Sequence, residues 1–526
     1  MSFISDLDTP LLRLSPHDVF SLRDACAGVH IFGGIGSGKT SGSGQTLAGA
    51  YLRAGMGGLI LCAKSEEVPL WLAYAKKHGR SDSVVLFDDR RGFNFIAYEL
   101  ARQGMKGISN VTEVLMRILA AADSAMGATG SASDPFWGQA IRQVLNYALP
   151  VLYSAHGTLS VSDVIDFVTT AATKPEQYVD EAWARNSYAA QTLRRAVDHP
   201  AVPMDGYAQK AMLEYWFRQF TAIPEKTRGN ILISLSTKLD RFKHGRLRQS
   251  FCGHTDIVPE MTFHGALIIM NMPALTHNED GIIGQQLFKF MWQRAVESRN
   301  GLHPVHQARP VFLWADEAQY FVNLKDEEFL STCRASRACV VFLTQTLPTY
   351  YARLGKDQTD AADGLVGKFN TQVFHQNACH RTNTFASQLI GRGIQLRATE
   401  NRSVGTSTSR GMNMGSNQGS GDSFNTGSST SRDGRGGGQA GNSMGNALST
   451  SQGQSRGMSV GQGTNETTSW GTSEQMDYLI EPRVFASGLK SGGTANRHLV
   501  SAVWFKAGGN FRRAGGGNVL VTTFRQ

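Results

Sequence analysis

The feature that most constrains the fold of this chain is a glycine-rich loop at residues 33–40, Gly-Gly-Ile-Gly-Ser-Gly-Lys-Thr. It fits the pattern GxxxxGK[ST], in which successive backbone N–H groups surround a phosphate. The apolar run Val29–Phe32 just before the loop predicts a short buried strand. The residues after Lys39 predict the start of a helix, whose N-terminal amides favour a bound anion. This strand–loop–helix unit predicts a nucleotide site at one end of a parallel sheet.

Each residue of the loop has an expected role. The glycines have no Cβ, so the chain can curl tightly and direct its amides at one anion. Lys39 is expected to reach the β- and γ-phosphates, and the Thr40 hydroxyl to bind Mg²⁺. The residues predicted to bind the nucleotide are Gly33, Gly34, Ile35, Gly36, Ser37, Gly38, Lys39, Thr40 and Ser41.

Two adjacent carboxylates follow a second apolar run, Val311–Ala315. An acidic pair after a strand is usually a solvated turn. Here the run is apolar throughout, as in a central strand of a parallel sheet, and ligands bind at the carboxyl ends of such strands. We therefore interpret Asp316 as the Mg²⁺ ligand and Glu317 as the base that polarises an attacking water. Together with the loop, this pair predicts hydrolysis of a nucleotide.

A third apolar run, Ala338–Thr344, ends at Gln345. The Gln345 amide is predicted either to contact the γ-phosphate or its water, or simply to cap the strand end, and the sequence favours neither. Arg334 and Arg337 precede this strand. Each is either an arginine finger that reaches a neighbouring subunit or a solvated helix charge, and the residue types alone favour the solvated charge.

The periodicity of the apolar residues predicts the organisation of the chain. Strand and helix signals alternate over residues 29–100 and resume at residue 266, which predicts an α/β fold with one mostly parallel sheet. In between, apolar residues recur at three- and four-residue spacing, so we expect an inserted all-helical domain. A Gly-, Ser-, Asn- and Thr-rich segment is predicted to be disordered, because it has little apolar surface to bury. The predicted boundaries are 1–105 and 256–402 for the two parts of the ATPase domain, 106–255 for the helical insert, 403–473 for the disordered segment and 474–526 for a closing segment at the sheet edge.

Composition narrows the class of partner without naming it. The 526 residues carry a formal net charge of +9, which fits a polyanion such as DNA. The six cysteines lack CxxC spacing, which indicates neither a zinc site nor a disulfide framework and favours a reducing cytoplasm. We find no signal peptide and no uninterrupted run of about 18 apolar residues, so we expect no transmembrane segment.

From about residue 27 to residue 526, without the Gly/Ser-rich segment, these features resemble the TraG/TraD-type coupling proteins of type IV secretion, ATPases of the RecA-like FtsK/HerA group. The matching pieces are the loop 33–40, the strand ending in Lys64, Phe93-Asn94, residues 134–137, Asp316-Glu317, residues 334–346, residues 481–484 and residues 489–493. The resemblance implies a RecA-like P-loop NTPase fold and the cofactors ATP and Mg²⁺. It also implies Lys39, Glu317, Gln345 and Arg334 as catalytic residues, with Arg334 inserted into the neighbouring subunit's site.

The resemblance further implies partners and a location. Such proteins form rings that move DNA or protein into a secretion channel, so we expect a homo-hexamer that binds DNA with relaxosome proteins and meets inner-membrane components of the secretion system. We expect a cytoplasmic protein, peripheral at the inner membrane. The chain departs from the family pattern at Cys62-Ala63, where members often have an aspartate before the lysine, and in having no predicted membrane-spanning helices, with which many coupling proteins begin.

Two other functions stay open on the sequence. A cytoplasmic DNA translocase of the FtsK/HerA type would use the same nucleotide site. The absence of predicted membrane helices favours it, whereas the helical insert favours the coupling function. A nucleotide-gated adaptor would bind ATP and dock substrates with little turnover. The intact Glu317 argues against the adaptor, since a protein that only binds ATP needs no carboxylate to orient water.

Overall fold

The computed structural model describes residues 3–125, 135–355, 358–415, 423–432, 438–447 and 455–526. These residues form two compact units, one of residues 1–390 and 480–526 and the other of residues 391–479. The strands in chain order are β1 (Pro10–Arg13), β2 (Val19–Ser21), β3 (Val29–Phe32), β4 (Gly57–Leu61), β5 (Val84–Phe87), β6 (Leu267–Met270), β7 (Val311–Ala315), β8 (Ala338–Thr344), β9 (Thr371–Phe374), β10 (Arg392–Gly415), β11 (Ser423–Arg432), β12 (Gly438–Ala447), β13 (Ser455–Tyr478), β14 (Leu499–Lys506) and β15 (Val519–Arg525). The α-helices are α1 (Leu22–Ala25), α2 (Gln45–Arg53), α3 (Glu67–Lys77), α4 (Phe95–Gln103), α5 (Ile108–Ala125), α6 (Pro135–His156), α7 (Val161–Thr170), α8 (Glu181–Asn186), α9 (Tyr188–Asp198), α10 (Gly206–Glu214), α11 (Phe220–Ala222), α12 (Glu225–Leu239), α13 (Gly245–Phe251), α14 (Ala274–Ser298), α15 (Pro304–Ala308), α16 (Leu324–Thr332), α17 (Leu347–Leu354), α18 (Thr359–Gly367) and α19 (His380–Ile390).

The first unit is built on a nine-stranded sheet with the strand order β15-β14-β9-β3-β8-β7-β4-β6-β5. The strands from β9 to β5 run parallel. Strand β14 pairs antiparallel with β9, and β15 with β14, so β15 forms one edge of the sheet. Every residue of β3, β4, β7 and β8 is buried. Their continuous apolar runs are those of parallel strands covered on both faces.

The chain between β5 and β6 is helical over its described residues, from α4 to α13. Its apolar side chains belong to the same core cluster as those on one face of the sheet. For example, the Phe251 ring of α13 stacks on Phe87 of β5 with ring centroids 5.3 Å apart. The helical insert therefore packs directly on the sheet domain. Within the described ranges no helix has both the length and the apolar character that crossing a bilayer needs.

Helix α14 follows β6 and has 25 residues. Its middle and last turns are buried on almost all sides, including the polar residues Gln285 and Lys289. Polar residues recur along this helix, and the side chains of Gln285 and Lys289 are both hydrogen-bonded. Burial of a polar side chain depends on a partner elsewhere in the fold, which local periodicity does not reveal.

The second unit is a long antiparallel ladder. Strand β10 pairs with β13 from Arg392↔Tyr478 to Gly415↔Ser455, and β11 pairs with β12 from Ser423↔Ala447 to Arg432↔Gly438. The number of residues between β10 and β11 equals that between β12 and β13, so the two strand pairs have the same register. The described part of residues 403–473 therefore differs from the disordered segment that we expected.

The physical reason for this difference is that the apolar residues of the segment lie at alternate positions, with a period of two residues. Positions Ile394, Val404, Met458, Val460 and Met476 share one face of the ladder and are exposed. The opposite face carries almost only Gly, Ser, Thr, Asn and Gln. Alternation of this kind indicates a strand. It is hidden when the segment is judged by its overall Gly and Ser content.

Candidate nucleotide site

The glycine-rich loop leaves the carboxyl end of β3 and leads through one π-helical turn, Thr40–Gly44, into α2. The Gly33 N–H donates to the Thr344 carbonyl oxygen at 3.2 Å, and the Gly34 N–H donates to that of Gln376 at 2.9 Å. These bonds tie the loop to the ends of the two strands that flank β3. The loop is thus fixed at the carboxyl edge of the sheet, where ligands of parallel α/β folds bind.

The loop conformation requires glycine at two positions. Gly36 and Gly38 have φ of +71° and +81°, a region that side chains disfavour. A Cβ on Gly38 would also lie 2.5 Å from the Val500 side chain of β14. The closing segment therefore packs against the loop, and it supports the nucleotide site as well as the sheet edge.

A pocket of about 280 Å³ lies over the loop. Two of the predicted nucleotide-binding residues do not line this pocket. They are Ile35, whose side chain is 87% exposed, and Gly33, where a Cβ would meet the Ser37 hydroxyl. The lining residues are Gly34, Gly36, Ser37, Gly38, Lys39, Thr40, Ser41, Gln45, Leu70 and Tyr74.

The groups around this pocket fit a phosphate and a magnesium ion. The Ser37 hydroxyl is buried and meets no hydrogen-bond partner among the described residues. The Thr40 hydroxyl donates to Asp316 Oδ2 at 2.7 Å, so the two predicted Mg²⁺ ligands lie side by side although 276 positions separate them in the chain. Hydroxyl and carboxylate oxygens are ligands that Mg²⁺ accepts. Both are therefore placed to share one ion.

The turn after β7 buries the two carboxylates. Asp316 and Glu317 are 6% and 2% exposed, which excludes the solvated turn that acidic pairs usually form. Glu317 has φ +48° and ψ +48°, a left-handed conformation that costs a residue with a side chain about 1–2 kcal/mol. Its N–H donates to Asp316 Oδ1 at 2.9 Å. This conformation turns the Glu317 side chain back toward the loop, so that its carboxylate reaches Lys39.

The Glu317 carboxylate is surrounded by donors. Lys64 Nζ donates to Oε1 at 2.7 Å, and Lys39 Nζ lies 3.6 Å from the same oxygen. Gln345 Nε2 lies 3.1 Å from Oε1 and 3.3 Å from Oε2, and Gln319 Nε2 donates to Oε2 at 2.9 Å. Burial alone would raise the pKa of Glu317, but the Lys39 charge and these hydrogen bonds lower it to about 2. Gln345 thus contacts the predicted base, and its predicted contact with phosphate or water stays a prediction.

Sequence reasoning missed Gln319 and assigned no role to Lys64. Lys64 follows β4, and only the strand order brings this strand end to Glu317. Gln319 is held from its other side, because the Thr344 hydroxyl donates to its Oε1 at 2.8 Å. On α3, Tyr74 lines the pocket, and burial together with the Asp316 charge raises its pKa to about 12. The sequence signals that could have identified them were a lysine at a strand end and a glutamine two residues after Glu317.

Arg334 is not brought to the site of its own chain. It precedes β8 at the amino end of that strand, whereas the loop and Glu317 lie at the carboxyl edge. Strand β8 has seven residues, so about 20 Å of strand separates the two ends. Arg334 is exposed and lines a separate cavity of about 920 Å³. Its predicted role would therefore need a second copy of the chain.

A buried ion pair supports the segment after Glu317. Lys289 Nζ donates to Asp326 Oδ1 at 2.7 Å and to the Phe321 carbonyl oxygen at 2.6 Å. Gln293 Nε2 donates to the same Asp326 oxygen at 2.7 Å. Burial lowers the pKa of Lys289, and the Asp326 charge opposes this effect. Removing either charge would leave the other buried without its partner, so the pair fixes the path of the chain from β7 to α16.

Comparisons with known proteins bear on this site and on the fold. Residues 310–435 match the family described as the TraM recognition site of TraD and TraG. The bacterial conjugative coupling protein TrwB, in an unbound monoclinic form, shares 13% identity at a TM-score of 0.50 over 95% of this chain and 85% of TrwB. TrwB in complex with the non-hydrolysable ATP analogue ADPNP shares 13% identity at a TM-score of 0.51 over 100% of this chain and 90% of TrwB. No curated protein matches the chain in sequence.

The two kinds of likeness support different statements. At 13% identity, the likeness to TrwB shows the fold. The family match is one of sequence, and it spans Asp316, Glu317, Arg334 and Gln345. The predicted resemblance to type IV secretion coupling proteins is therefore confirmed: this chain has their RecA-like fold, and its residues 310–435 carry their sequence pattern.

Proposed function

We propose that this chain is an ATP-hydrolysing coupling protein that recruits conjugative DNA, or a nucleoprotein, and drives it into a type IV secretion channel. The observation that carries the proposal is the meeting of Lys39, Thr40, Asp316 and Glu317 around one pocket. The family match over residues 310–435 supports the coupling role. The complex of TrwB with an ATP analogue supports ATP as the nucleotide.

In this proposal the loop amides and Lys39 hold the phosphates of ATP. Thr40 and Asp316 hold Mg²⁺, which neutralises charge on the phosphate oxygens when bound. Leu70 and Tyr74 line the rest of the pocket and supply apolar contact to the nucleoside. The buried Ser37 hydroxyl gains a partner when phosphate is present, which removes the cost of leaving a polar group unsatisfied.

Glu317 then accepts a proton from the attacking water, and Gln345 orients that water from the neighbouring strand end. The two side chains lie within hydrogen-bond distance of each other, so in this proposal they act on the same water. Arg334 acts in the site of the next subunit, as an arginine finger of a homo-hexamer. The +9 net charge suits a DNA substrate with its relaxosome proteins, and inner-membrane components of the secretion system recruit the ring to the cytoplasmic face of that membrane.

The test is hydrolysis of ATP by the purified chain, without DNA and with single- or double-stranded DNA. The variants are Lys39→Ala and Glu317→Gln, and Lys76→Ala, an exposed lysine of α3 outside the pocket, is the matched control. We expect DNA to stimulate turnover and both site variants to lose about 100-fold or more, with the control unchanged. Equal turnover in all variants would refute the ATPase site. Tight ATP binding with negligible hydrolysis under every condition would instead establish the nucleotide-gated adaptor.

A further inference from the structure

Three side-chain donors surround the Glu317 carboxylate. Lys64 Nζ donates to Oε1 at 2.7 Å and Gln319 Nε2 donates to Oε2 at 2.9 Å, and Gln345 Nε2 lies 3.1 and 3.3 Å from the two oxygens. A carboxylate offers about four lone-pair sites, so an attacking water competes with these donors for Glu317. Removing a donor from Oε1 therefore exposes that oxygen to water.

Of the three donors, Lys64 is the one that the fold leaves free to move. Gln319 is held in place by the Thr344 hydroxyl. Gln345 is half-buried, and its main-chain carbonyl oxygen accepts from Asn377 Nδ2 at 2.6 Å, which fixes the backbone from which its side chain extends. The Lys64 side chain is 42% exposed, and within the described part of the chain its ammonium donates only to Glu317.

The strand end that carries Lys64 is connected to the helical insert. The next residue, Ser65, shares a hydrogen bond of 2.8 Å with Thr276 at the start of α14. Two residues further on, Asn278 interrupts α14 with φ +49° and ψ −129°, a sparsely populated backbone conformation. The following Glu279 and Asp280 both pair with Arg241, which lies just after α12 of the insert.

This arrangement has the parts of a switch. The backbone at Asn278 is in a strained conformation, and such a conformation persists only while its surroundings hold it. The start of α14 is contacted by Ser65 after β4 and by Arg241 of the helical insert. Two sites can be coupled when both of them affect the conformation of the same segment.

We propose that Lys64 is a positioning residue that keeps Glu317 occupied until a transport substrate engages the helical insert. Engagement shifts the start of α14, which moves the end of β4 and withdraws the Lys64 ammonium. Oε1 of Glu317 is then open to the attacking water, and ATP hydrolysis is restricted to the substrate-bound state. The inference rests on the proposed ATPase function and adds its regulation.

The opposite role for Lys64 is a cation that stabilises the phosphate during reaction. The two roles predict opposite changes when the ammonium is removed. Loss of a restraint should raise the DNA-independent turnover, whereas loss of a catalytic cation should lower it. Lys64→Met keeps the apolar stem and removes the charge, and Lys64→Arg keeps the charge. Arg241→Met cuts the contact at the insert and leaves the nucleotide pocket untouched, since Arg241 does not line it.

The experiment measures kcat and the KM for ATP in the full chain, with and without DNA. For Lys64→Met we expect DNA-independent kcat to rise on the order of tenfold, with the KM unchanged, and DNA stimulation to fall toward onefold. Arg241→Met should change kcat in the same direction, and Lys64→Arg should retain the wild-type ratio. A thermal melt of each variant verifies folding. Adding Glu317→Gln to Lys64→Met should abolish the gain.

A fall or no change in DNA-independent kcat in Lys64→Met would overturn the inference. Failure of the proposed function gives a different result, namely no Lys39-dependent hydrolysis in either the wild type or Lys64→Met. Hydrolysis that first emerges in Lys64→Met and disappears with Lys39→Ala would support both. These outcomes separate the regulatory claim from the enzymatic one.

Discussion

Gln319 is the residue whose removal tests the geometry of the site most sharply. Its Nε2 donates to Glu317 Oε2 at 2.9 Å, and its Oε1 accepts from the Thr344 hydroxyl at 2.8 Å. It is 9% exposed and lies outside the pocket over the loop. Gln319 therefore fixes Oε2 of Glu317 and directs Oε1 toward the loop, without contacting the predicted nucleotide.

The expected magnitude follows from that hydrogen bond. A hydrogen bond to a charged group contributes about 1.5–3 kcal/mol, and each 1.36 kcal/mol is a factor of ten in rate, so Gln319→Ala should lower kcat by about 10- to 150-fold. Thr344→Val removes a neutral hydrogen bond of about 0.5–1.5 kcal/mol and should lower kcat by about 2- to 10-fold. The KM for ATP should stay unchanged in both variants.

The assay is steady-state ATP hydrolysis beside binding of a fluorescent nucleotide. In the Glu317→Gln background, Gln319→Ala should cause no further loss, because the group that it positions is already absent. A loss below about twofold in the single variant, or an equal loss in both backgrounds, would refute the reasoning. Weaker nucleotide binding in Gln319→Ala would also refute it, since the residue would then shape the loop.

Three further predictions concern stability and packing. Lys289→Met leaves Asp326 buried without its cation and should lower the free energy of unfolding, measured in urea, by about 3–5 kcal/mol; a loss below about 1 kcal/mol would contradict the buried pair. Burial and the nearby Lys39 charge lower the pKa of His375 from 6.5 to about 3. Below pH 6.5 the unfolded chain therefore binds a proton at His375 that the native state does not bind. As the pH decreases, this histidine lowers the free energy of unfolding by up to about 1.4 kcal/mol per pH unit. Urea titrations at about pH 7.5 and 5.5 should show a smaller pH dependence in His375→Gln than in the wild type. Part of the dependence should remain, because burial also lowers the pKa of His30 to about 3. An unchanged pH dependence would contradict the buried neutral imidazole of His375. A Cβ on Gly42 would lie 3.1 Å from Val500, so Gly42→Ala should weaken nucleotide binding and Val500→Ala should restore it; no restoration would exclude this contact as the cause.

The part of the site that sequence reasoning predicts is the part encoded by local pattern. Strand β7 has the bounds of its apolar run, because a strand buried on both faces needs apolar residues throughout. The pairing of Thr40 with Asp316 followed from the chemistry that both motifs serve, although they are far apart in the chain. Lys64 and Gln319 could not be assigned in this way, since their partner depends on the strand order.

Two features of the structure depend on a spatial arrangement that residue composition does not show. The ladder of residues 391–479 depends on a period-two pattern that composition conceals. The distance of Arg334 from Glu317 within one chain likewise depends on the length of β8, and its predicted role in a neighbouring subunit's site stays a prediction. Each outcome was set by how residues are arranged in space rather than by which residues are present.

The central claim is that the loop at residues 33–40 binds ATP and that Glu317 hydrolyses it. The most direct measurement is the identity and amount of nucleotide bound after the purified chain is incubated with ATP and Mg²⁺. The account predicts that the wild type converts ATP to ADP, that Glu317→Gln retains intact ATP, and that Lys39→Ala retains little nucleotide. Conversion of ATP by Glu317→Gln at the wild-type rate, or by Lys39→Ala, would contradict it.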